Sequence, residues 1–139
     1  MNILRRTGEI LLFILFTISC VNDVSNYNDI NEDGNYVLTF GTSQRVSNSM
    51  ILEVTGISDT RCPVGNVCST PGYVEVSFEV YCNQTFSDLD IDYNTIHKTN
   101  SDTIAGHTIE ITDVTPYPYA DDPSIDTLDY RISIHVETD

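Results

Sequence analysis

The chain contains no tryptophan and few basic residues: six Lys and Arg stand against 21 Asp and Glu, giving a formal net charge of −15. A surface of this sign repels the phosphates of nucleic acids and anionic lipid head groups, which argues against nucleic-acid binding. Cationic partners and divalent metal ions remain compatible ligands. The length of 139 residues fits a single domain with a modest hydrophobic core.

The motifs of common enzyme classes are also missing. A serine or cysteine hydrolase needs a nucleophile, a base and an orienting group, but none of the three histidines (His97, His107 and His135) lies in such a motif. The chain has no glycine-rich phosphate loop and no pairs of histidine and cysteine at zinc-ligand spacing. We therefore predict that the protein is not an enzyme and that it needs no cofactor.

The N-terminus has the pattern of an export signal. Arg5 and Arg6 precede an apolar run over residues 10–16, and the small residue Ser19 lies just before Cys20. A membrane-spanning helix needs about 20 apolar residues, so this run is too short to be one. A basic start, a short apolar stretch and a small residue are typical of a cleaved secretory signal.

The four residues Thr17-Ile18-Ser19-Cys20 resemble the lipobox of bacterial lipoproteins. The resemblance implies that Cys20 becomes the new N-terminus and carries diacylglycerol on its sulfur, with further acyl chains such as palmitate. Several chains are needed for stable anchoring to a membrane. An ordinary signal peptide with an incidental cysteine is the alternative.

The chain therefore divides into three parts. Residues 1–19 are the predicted signal peptide, and residues 20–35 are the lipidated cysteine followed by a flexible tether rich in Asn, Asp and Ser, without apolar periodicity. Residues 36–139 form the predicted domain. This organisation predicts a protein of the cell envelope that is anchored by lipid, with the outer membrane as the preferred location. The sequence does not indicate which leaflet carries the anchor.

The pattern of the domain predicts β-strands, because apolar residues recur at every second position and turn residues interrupt them at short intervals. In the clearest strand, Val74, Val76, Phe78 and Val80 alternate with polar residues. The six predicted strands are Tyr36–Phe40, Met50–Val54, Tyr73–Cys82, Asp88–Tyr93, His107–Thr112 and Tyr130–Val136. One dry face per strand predicts an antiparallel β-sandwich of about seven strands and immunoglobulin-like size, with a small barrel as the alternative.

Three cysteines remain besides Cys20. Exported proteins meet an oxidising environment, and Cys62 and Cys68 enclose a short loop that contains Pro63 and Gly65. We predict a Cys62–Cys68 disulfide, with a Cys68–Cys82 pairing as the alternative. In the first case Cys82 shares the apolar face of its strand and is predicted to be a buried free thiol.

The segment Asp59-Thr60-Arg61-Cys62-Pro63, followed by Cys68 and Gly72, resembles a segment of small bacterial lipoproteins of Bacteroidota type, in which Asp-Ser-Arg-Cys-Pro leads to a second cysteine and a glycine. Thr60 stands in place of the usual serine here. Most of those proteins have no known function, so the resemblance implies the fold and the disulfide and brings no activity with it.

Two loops are the best candidates for binding, because rigid loops with aromatic residues lose little entropy on docking. They are the cysteine loop, with Arg61 and Pro63, and the later loop with Tyr117 and Tyr119. A weak candidate for calcium follows the second loop, where several carboxylates could surround one ion. These carboxylates are Asp121, Asp122, Asp126 and Asp129.

These features predict a non-enzymatic envelope lipoprotein that acts as a binding or accessory module, such as a subunit of an outer-membrane assembly. Its expected partners are the membrane, through the N-terminal lipid, and a protein of the envelope. The alternative is a protease inhibitor that presents the rigid disulfide-braced loop to a protease cleft. Asp102-Thr103-Ile104 and Asp126-Thr127-Leu128 also resemble bacterial O-glycosylation signals.

Overall fold

A computed structural model describes residues 31, 33–82, 84–94, 100–121 and 125–138. The predicted signal peptide, Cys20 and most of the predicted tether lie outside these residues. Within the described part of the chain, no helix is long and apolar enough to cross a membrane.

The described chain is an antiparallel β-sandwich, as the alternation of apolar residues predicts. Two sheets of four strands each are present, with the strand orders β1-β8-β7-β6 and β2-β3-β4-β5. The strands are β1 (Asn35–Thr39), β2 (Ser43–Arg45), β3 (Met50–Asp59), β4 (Val74–Cys82), β5 (Thr85–Tyr93), β6 (Ser101–Ile104), β7 (His107–Thr115) and β8 (Arg131–Thr138). A single 3-10 turn, Thr127–Asp129, precedes β8.

The core lies between the two sheets and contains the residues that the alternating pattern places inward. Phe78, Leu52 and Met50 from one sheet and Ile111 and Ile132 from the other are almost completely buried. Each such side chain contributes roughly 1.5–3 kcal/mol through removal of apolar surface from water. Burial of one face per strand therefore accounts for the pairing of the two sheets.

Two of the long strands, β3 and β7, each contain a bulge, which sequence alternation does not reveal. In β3 the register with β4 shifts between Val54 and Gly56, and the strand continues to Asp59 instead of ending at Val54 as predicted. A bulge adds one residue and thereby moves the following side chains to the other face. As a result, Asp59 lies opposite the buried Val74 and is turned toward the inside of the sandwich.

The second bulge has the same effect on β7. Its register with β8 shifts between Ile111 and Asp113, which returns Val114 to the core beside Ile132. The strand is therefore three residues longer than the predicted His107–Thr112. Beyond the two bulges, Asp59 and the backbone carbonyl of Val114 both bond to Arg61.

The folded body begins slightly before Tyr36, the predicted start of the domain. β1 starts at Asn35, and the backbone N–H of Val136 donates to the carbonyl of Gly34 over 2.8 Å. A Cβ at Gly34 would meet the Val136 carbonyl oxygen at 2.5 Å, so a side chain would not fit here. The last residues assigned to the tether thus pair with the final strand.

The prediction of a buried free thiol at Cys82 is wrong. None of the described cysteines is free, and Cys82 is disulfide-bonded. Its side chain is half-buried rather than buried and belongs to the last residue of β4. The alternative Cys68–Cys82 pairing is also excluded, since Cys68 bonds Cys62.

Candidate functional site

The segment after β3 folds back on the residues that lead into β4. The N–H of Thr60 donates to the carbonyl of Tyr73 and the N–H of Cys62 to that of Pro71, both over 2.9 Å. The Thr60 hydroxyl accepts from the Tyr73 N–H over 3.2 Å. Gly72 has a φ of +70°, and any Cβ there would collide with the Thr60 backbone. Only glycine can adopt this positive φ without strain and also leave room for the Thr60 backbone.

The disulfide closes the loop between these two paired stretches. Cys62 and Cys68 are bonded, with their Cα atoms 5.9 Å apart, as the spacing of the cysteines predicts. The loop between them exposes apolar side chains: Val64 is half exposed and Val67 is fully exposed. A short cross-linked loop therefore holds two valines in contact with solvent.

The two loops that the sequence singles out for binding lie side by side. The N–H of Val64 donates to the carbonyl of Pro118 over 2.9 Å, and the N–H of Ala120 donates to the carbonyl of Val64 over 3.0 Å. These bonds form an isolated parallel bridge between Val64 and Tyr119. The cysteine loop and the Tyr117–Tyr119 loop are thus one continuous structure.

Arg61 fixes both loops from beneath. Only 9% of this residue is exposed, and its two terminal nitrogens donate to the carbonyls of Val114 and Pro116, each over 2.8 Å. Its guanidinium carbon also lies 4.6 Å from the ring centre of Tyr117, within the range of a cation–π contact. One side chain from the cysteine loop therefore binds the backbone and the first tyrosine of the other loop.

The charge of Arg61 is balanced by Asp59. The Nη2 atom lies 2.6 Å from Oδ2 of Asp59 and the Nε atom 3.0 Å from Oδ1, so the pair is bidentate. The Tyr130 hydroxyl donates to the same Oδ2 over 2.9 Å. Among the described residues, every buried side-chain polar atom has a hydrogen-bond partner, as a buried ion pair requires to be tolerated.

This environment changes the acidity of two groups. Burial alone would raise the pKa of Asp59, but the hydrogen bonds and charge of Arg61, with the Tyr130 hydroxyl, hold it below its ordinary value. Burial, followed by the bond to the Asp59 carboxylate, raises the pKa of Tyr130 to about 12. At neutral pH the cluster is therefore an ionised Asp–Arg pair with a neutral tyrosine.

Four exposed apolar side chains lie on these two loops and form what we call the loop surface: Val64, Val67, Tyr117 and Tyr119. Solvent-exposed apolar residues that cluster on a surface often mark a contact with another molecule. Arg61, predicted as a binding residue, lies under this surface, and Pro63 is half-buried. Sequence reasoning does not single out the two exposed valines, which carry no motif.

Among the described residues, the acidic side chains after the second loop form no metal-binding group. Asp121, Asp126 and Asp129 are exposed, and Asp122 lies outside the described residues. The Asp126 carboxylate accepts from the Leu128 N–H over 3.0 Å and so caps the 3-10 turn. In the described ranges no three acidic, histidine or cysteine side chains are grouped to hold a metal ion, so calcium at this loop stays a prediction.

The two segments that resemble glycosylation signals are at the surface. Thr103 is exposed on the edge strand β6, where its hydroxyl lies 3.0 Å from that of Thr108. Thr127 is exposed in the 3-10 turn. Both hydroxyls are therefore accessible, and their modification stays a prediction.

No family model matches the chain, and neither curated proteins nor solved structures give a significant match. The fold and the loop surface define it as a small antiparallel β-sandwich with one braced end.

Proposed function

We propose that this chain is a non-enzymatic envelope lipoprotein that binds a protein partner through the loop surface, as an accessory subunit of an outer-membrane assembly. The lipid on Cys20 holds it to the membrane, and residues 21–33 separate the domain from the anchor. The observation that supports binding is the exposure of four apolar side chains on loops that are fixed from below by Arg61.

Rigidity is the physical reason why such a surface can bind well. Ordering a flexible side chain on association costs about 0.5–1.5 kcal/mol, so groups already held in place lose less. Here the disulfide, the Val64–Tyr119 bridge and the cation–π contact limit the motion of both loops. Tyrosine is also enriched among the residues that dominate binding energies, which makes Tyr117 and Tyr119 the expected centre of the contact.

Capture of the partner from detergent-solubilised envelopes tests this proposal. The full chain carries an affinity tag at its C-terminus, and Tyr119→Ser is compared with the wild type. We expect a stoichiometric membrane protein in the wild-type sample and its loss in the variant. Val37→Ser is the matched control, because Val37 is equally exposed but lies on β1. Equal capture by both variants would contradict a role for the loop surface.

The anchor needs a separate test, because Cys20 lies outside the described residues. Metabolic labelling with palmitate and mass analysis of the N-terminal peptide should show an acylated Cys20, and Cys20→Ala should leave the protein unlabelled. The thioether to diacylglycerol and a disulfide would use the same sulfur atom. Because Cys62 and Cys68 bond each other, Cys20 is the one remaining cysteine of this chain that could bond Cys82. A lipid on Cys20 and a Cys20–Cys82 disulfide therefore exclude each other, and detection of that disulfide in the mature protein would refute the lipid anchor.

One observation favours the second candidate function, inhibition of a protease. Val67 is fully exposed within the disulfide-closed loop, as a residue that enters a specificity pocket has to be. If this function is correct, titration of the protein against serine and cysteine proteases should show inhibition. The Val67→Asp variant should no longer inhibit, whereas the Tyr119→Ser variant should inhibit like the wild type. Absence of inhibition across these classes, together with a Tyr119-dependent membrane partner, would leave the accessory role alone.

A further inference from the structure

The outer face of the β2–β3–β4–β5 sheet carries a second exposed apolar feature, far from any motif. Ile51, Tyr81 and Phe86 lie directly opposite one another on three neighbouring strands. Together with Ser43 and Arg45 they line a cleft of about 430 Å³. The rings of Tyr81 and Phe86 are 4.8 Å apart, and 65% of Phe86 is exposed. This aromatic cleft is open to solvent.

Carboxylates occupy the next row of the same face, two residues further along each strand. Glu53 lies opposite Glu79, and Glu79 lies opposite Asp88, so three acidic side chains cross three strands. We call these the carboxylate row. Directly opposite residues have Cβ atoms about 5 Å apart, and like charges at that distance destabilise a sheet. The arrangement is therefore unfavourable for the isolated protein.

The negative charge continues beyond this row. Glu75 lies opposite Asp92, and Asp90 lies between Asp88 and Asp92 on the same face of β5. In the described part of the chain Arg45 is the one basic residue of this sheet face, and it lies beside the cleft with its nitrogens donating to the carbonyls of Ser47 and Asn48. The face thus pairs an apolar cleft with a strip of like charges.

We propose that this sheet face binds a cationic segment of a partner protein, which places an apolar side chain in the aromatic cleft and lysine or arginine side chains over the carboxylates. Charge complementarity selects the occupant, because a basic segment relieves the repulsion among Glu53, Glu79 and Asp88. Rows on one face are two residues apart, roughly 6.5–7 Å along a strand. An extended segment with basic residues at every second position after an apolar one matches this spacing.

The test uses the full chain and a synthetic peptide in which one leucine is followed by lysines at every second position. Binding is measured by calorimetry, and the melting temperature of the free protein is measured in parallel. Glu79→Gln should weaken binding about tenfold, because a carboxylate that faces the peptide is lost. It should also raise the melting temperature of the free protein, because Glu79 no longer repels Glu53 and Asp88. Phe86→Ser should weaken binding without any change of charge.

Three controls distinguish docking at this face from attraction by bulk charge and from binding at the loop surface. Glu137→Gln makes the same change of net charge on β8 of the opposite sheet, and it should leave binding unchanged; equal weakening would show that bulk charge alone attracts the peptide and would overturn the proposal. A peptide in which serine replaces leucine should bind the wild-type protein as weakly as the leucine peptide binds Phe86→Ser. Tyr119→Ser should have no effect, which separates this face from the loop surface.

Two further outcomes would replace the proposed occupant. Stabilisation of the wild type by calcium that is lost in Glu79→Gln would assign the face to a divalent cation. A dimer that forms with rising concentration and is abolished by Phe86→Ser would assign the cleft to a second copy of the chain. Either result, in the absence of peptide binding, would overturn the proposal of a cationic protein segment.

Discussion

The guanidinium of Arg61 lies 4.6 Å from the ring centre of Tyr117, and this contact joins two loops that are more than fifty residues apart in the chain. The same guanidinium binds Asp59 on one side and the carbonyls of Val114 and Pro116 on the other. A single buried cation thus connects the end of β3 with the end of β7. The shape of the loop surface depends on it.

Arg61→Lys should destabilise the domain by about 2–4 kcal/mol. A lysine keeps the charge but cannot donate in a planar fork to Asp59 and at the same time reach two carbonyls, so buried acceptors lose their partners. Chemical denaturation monitored by circular dichroism measures the free energy of unfolding. Arg131→Lys, at an exposed position of β8, is the control and should change it by less than about 0.5 kcal/mol.

If Arg61→Lys were as stable as the wild type, the guanidinium geometry would not matter for the fold. Loss of stability also predicts a local effect. The backbone amides of Val64 and Ala120 join the two loops. Their hydrogen exchange should be accelerated by Arg61→Lys more strongly than the exchange of the amides of β4. Uniform acceleration across both regions would indicate a global loss of stability instead.

Removal of the Cys62–Cys68 disulfide should cost about 2 kcal/mol, because so short a loop gains little conformational entropy when it is opened in the unfolded state. The double substitution Cys62→Ser and Cys68→Ser is the cleaner test, since a reductant would also open the disulfide at Cys82. The domain should still fold, with lower resistance to urea. A protein without a cooperative transition would show that the bridge contributes far more than loop entropy.

Much of the fold follows from the sequence because each long strand has one wet and one dry face. The alternation of Val74, Val76, Phe78 and Val80 predicts β4 almost to the residue, and the sandwich itself is confirmed. The strands β2 and β6 are not predicted. They span three and four residues, too few for a periodic pattern to stand out, and they form only through pairing with a longer neighbour.

The candidate site is predictable in part. Cysteine spacing and the pair Tyr117 and Tyr119 indicate its two loops, but their contact through Val64 has no local signal. The sequence also does not reveal that Arg61 is buried, because its burial depends on the ion pair with Asp59, and Asp59 has to face the core. That orientation results from the bulge after Val54, and strict alternation would place Asp59 on the outer face.

Gly72→Ala should be far more damaging than an equivalent change at another glycine of positive φ. A Cβ at Gly72 would collide with the backbone of Thr60, whereas a Cβ at Gly106, with a φ of +75°, has no neighbour within 4 Å. Gly106→Ala therefore carries only the cost of the left-handed conformation, about 1–2 kcal/mol. Gly72→Ala adds displacement of the loop and should lower the melting temperature clearly further. Equal effects would mean that the segment at Thr60 moves freely.

The stability of the domain should fall at both extremes of pH, with Asp59 and Tyr130 contributing on opposite sides. The pKa of Asp59 is lowered in the fold, so its contribution is complete above the ordinary carboxyl value of about 4. It is lost as the pH falls through the lower folded value, because the unfolded chain takes up the proton first. Asp59→Asn should therefore show a weaker acid dependence.

On the alkaline side the sign is reversed. The pKa of Tyr130 is raised to about 12 from 10.0, so its contribution is complete below pH 10.0 and is lost as the pH rises toward 12, where the unfolded chain releases the proton first. Tyr130→Phe should cost about 1–2 kcal/mol at neutral pH through loss of the bond to Asp59 and should flatten the alkaline decline. Some decline should persist, since burial also raises the pKa of Tyr36 and of Tyr93. Melting temperatures between pH 9 and pH 12, with Tyr119→Phe as the exposed control, measure this difference; parallel curves for the wild type and Tyr130→Phe would contradict the role of the Asp59 contact.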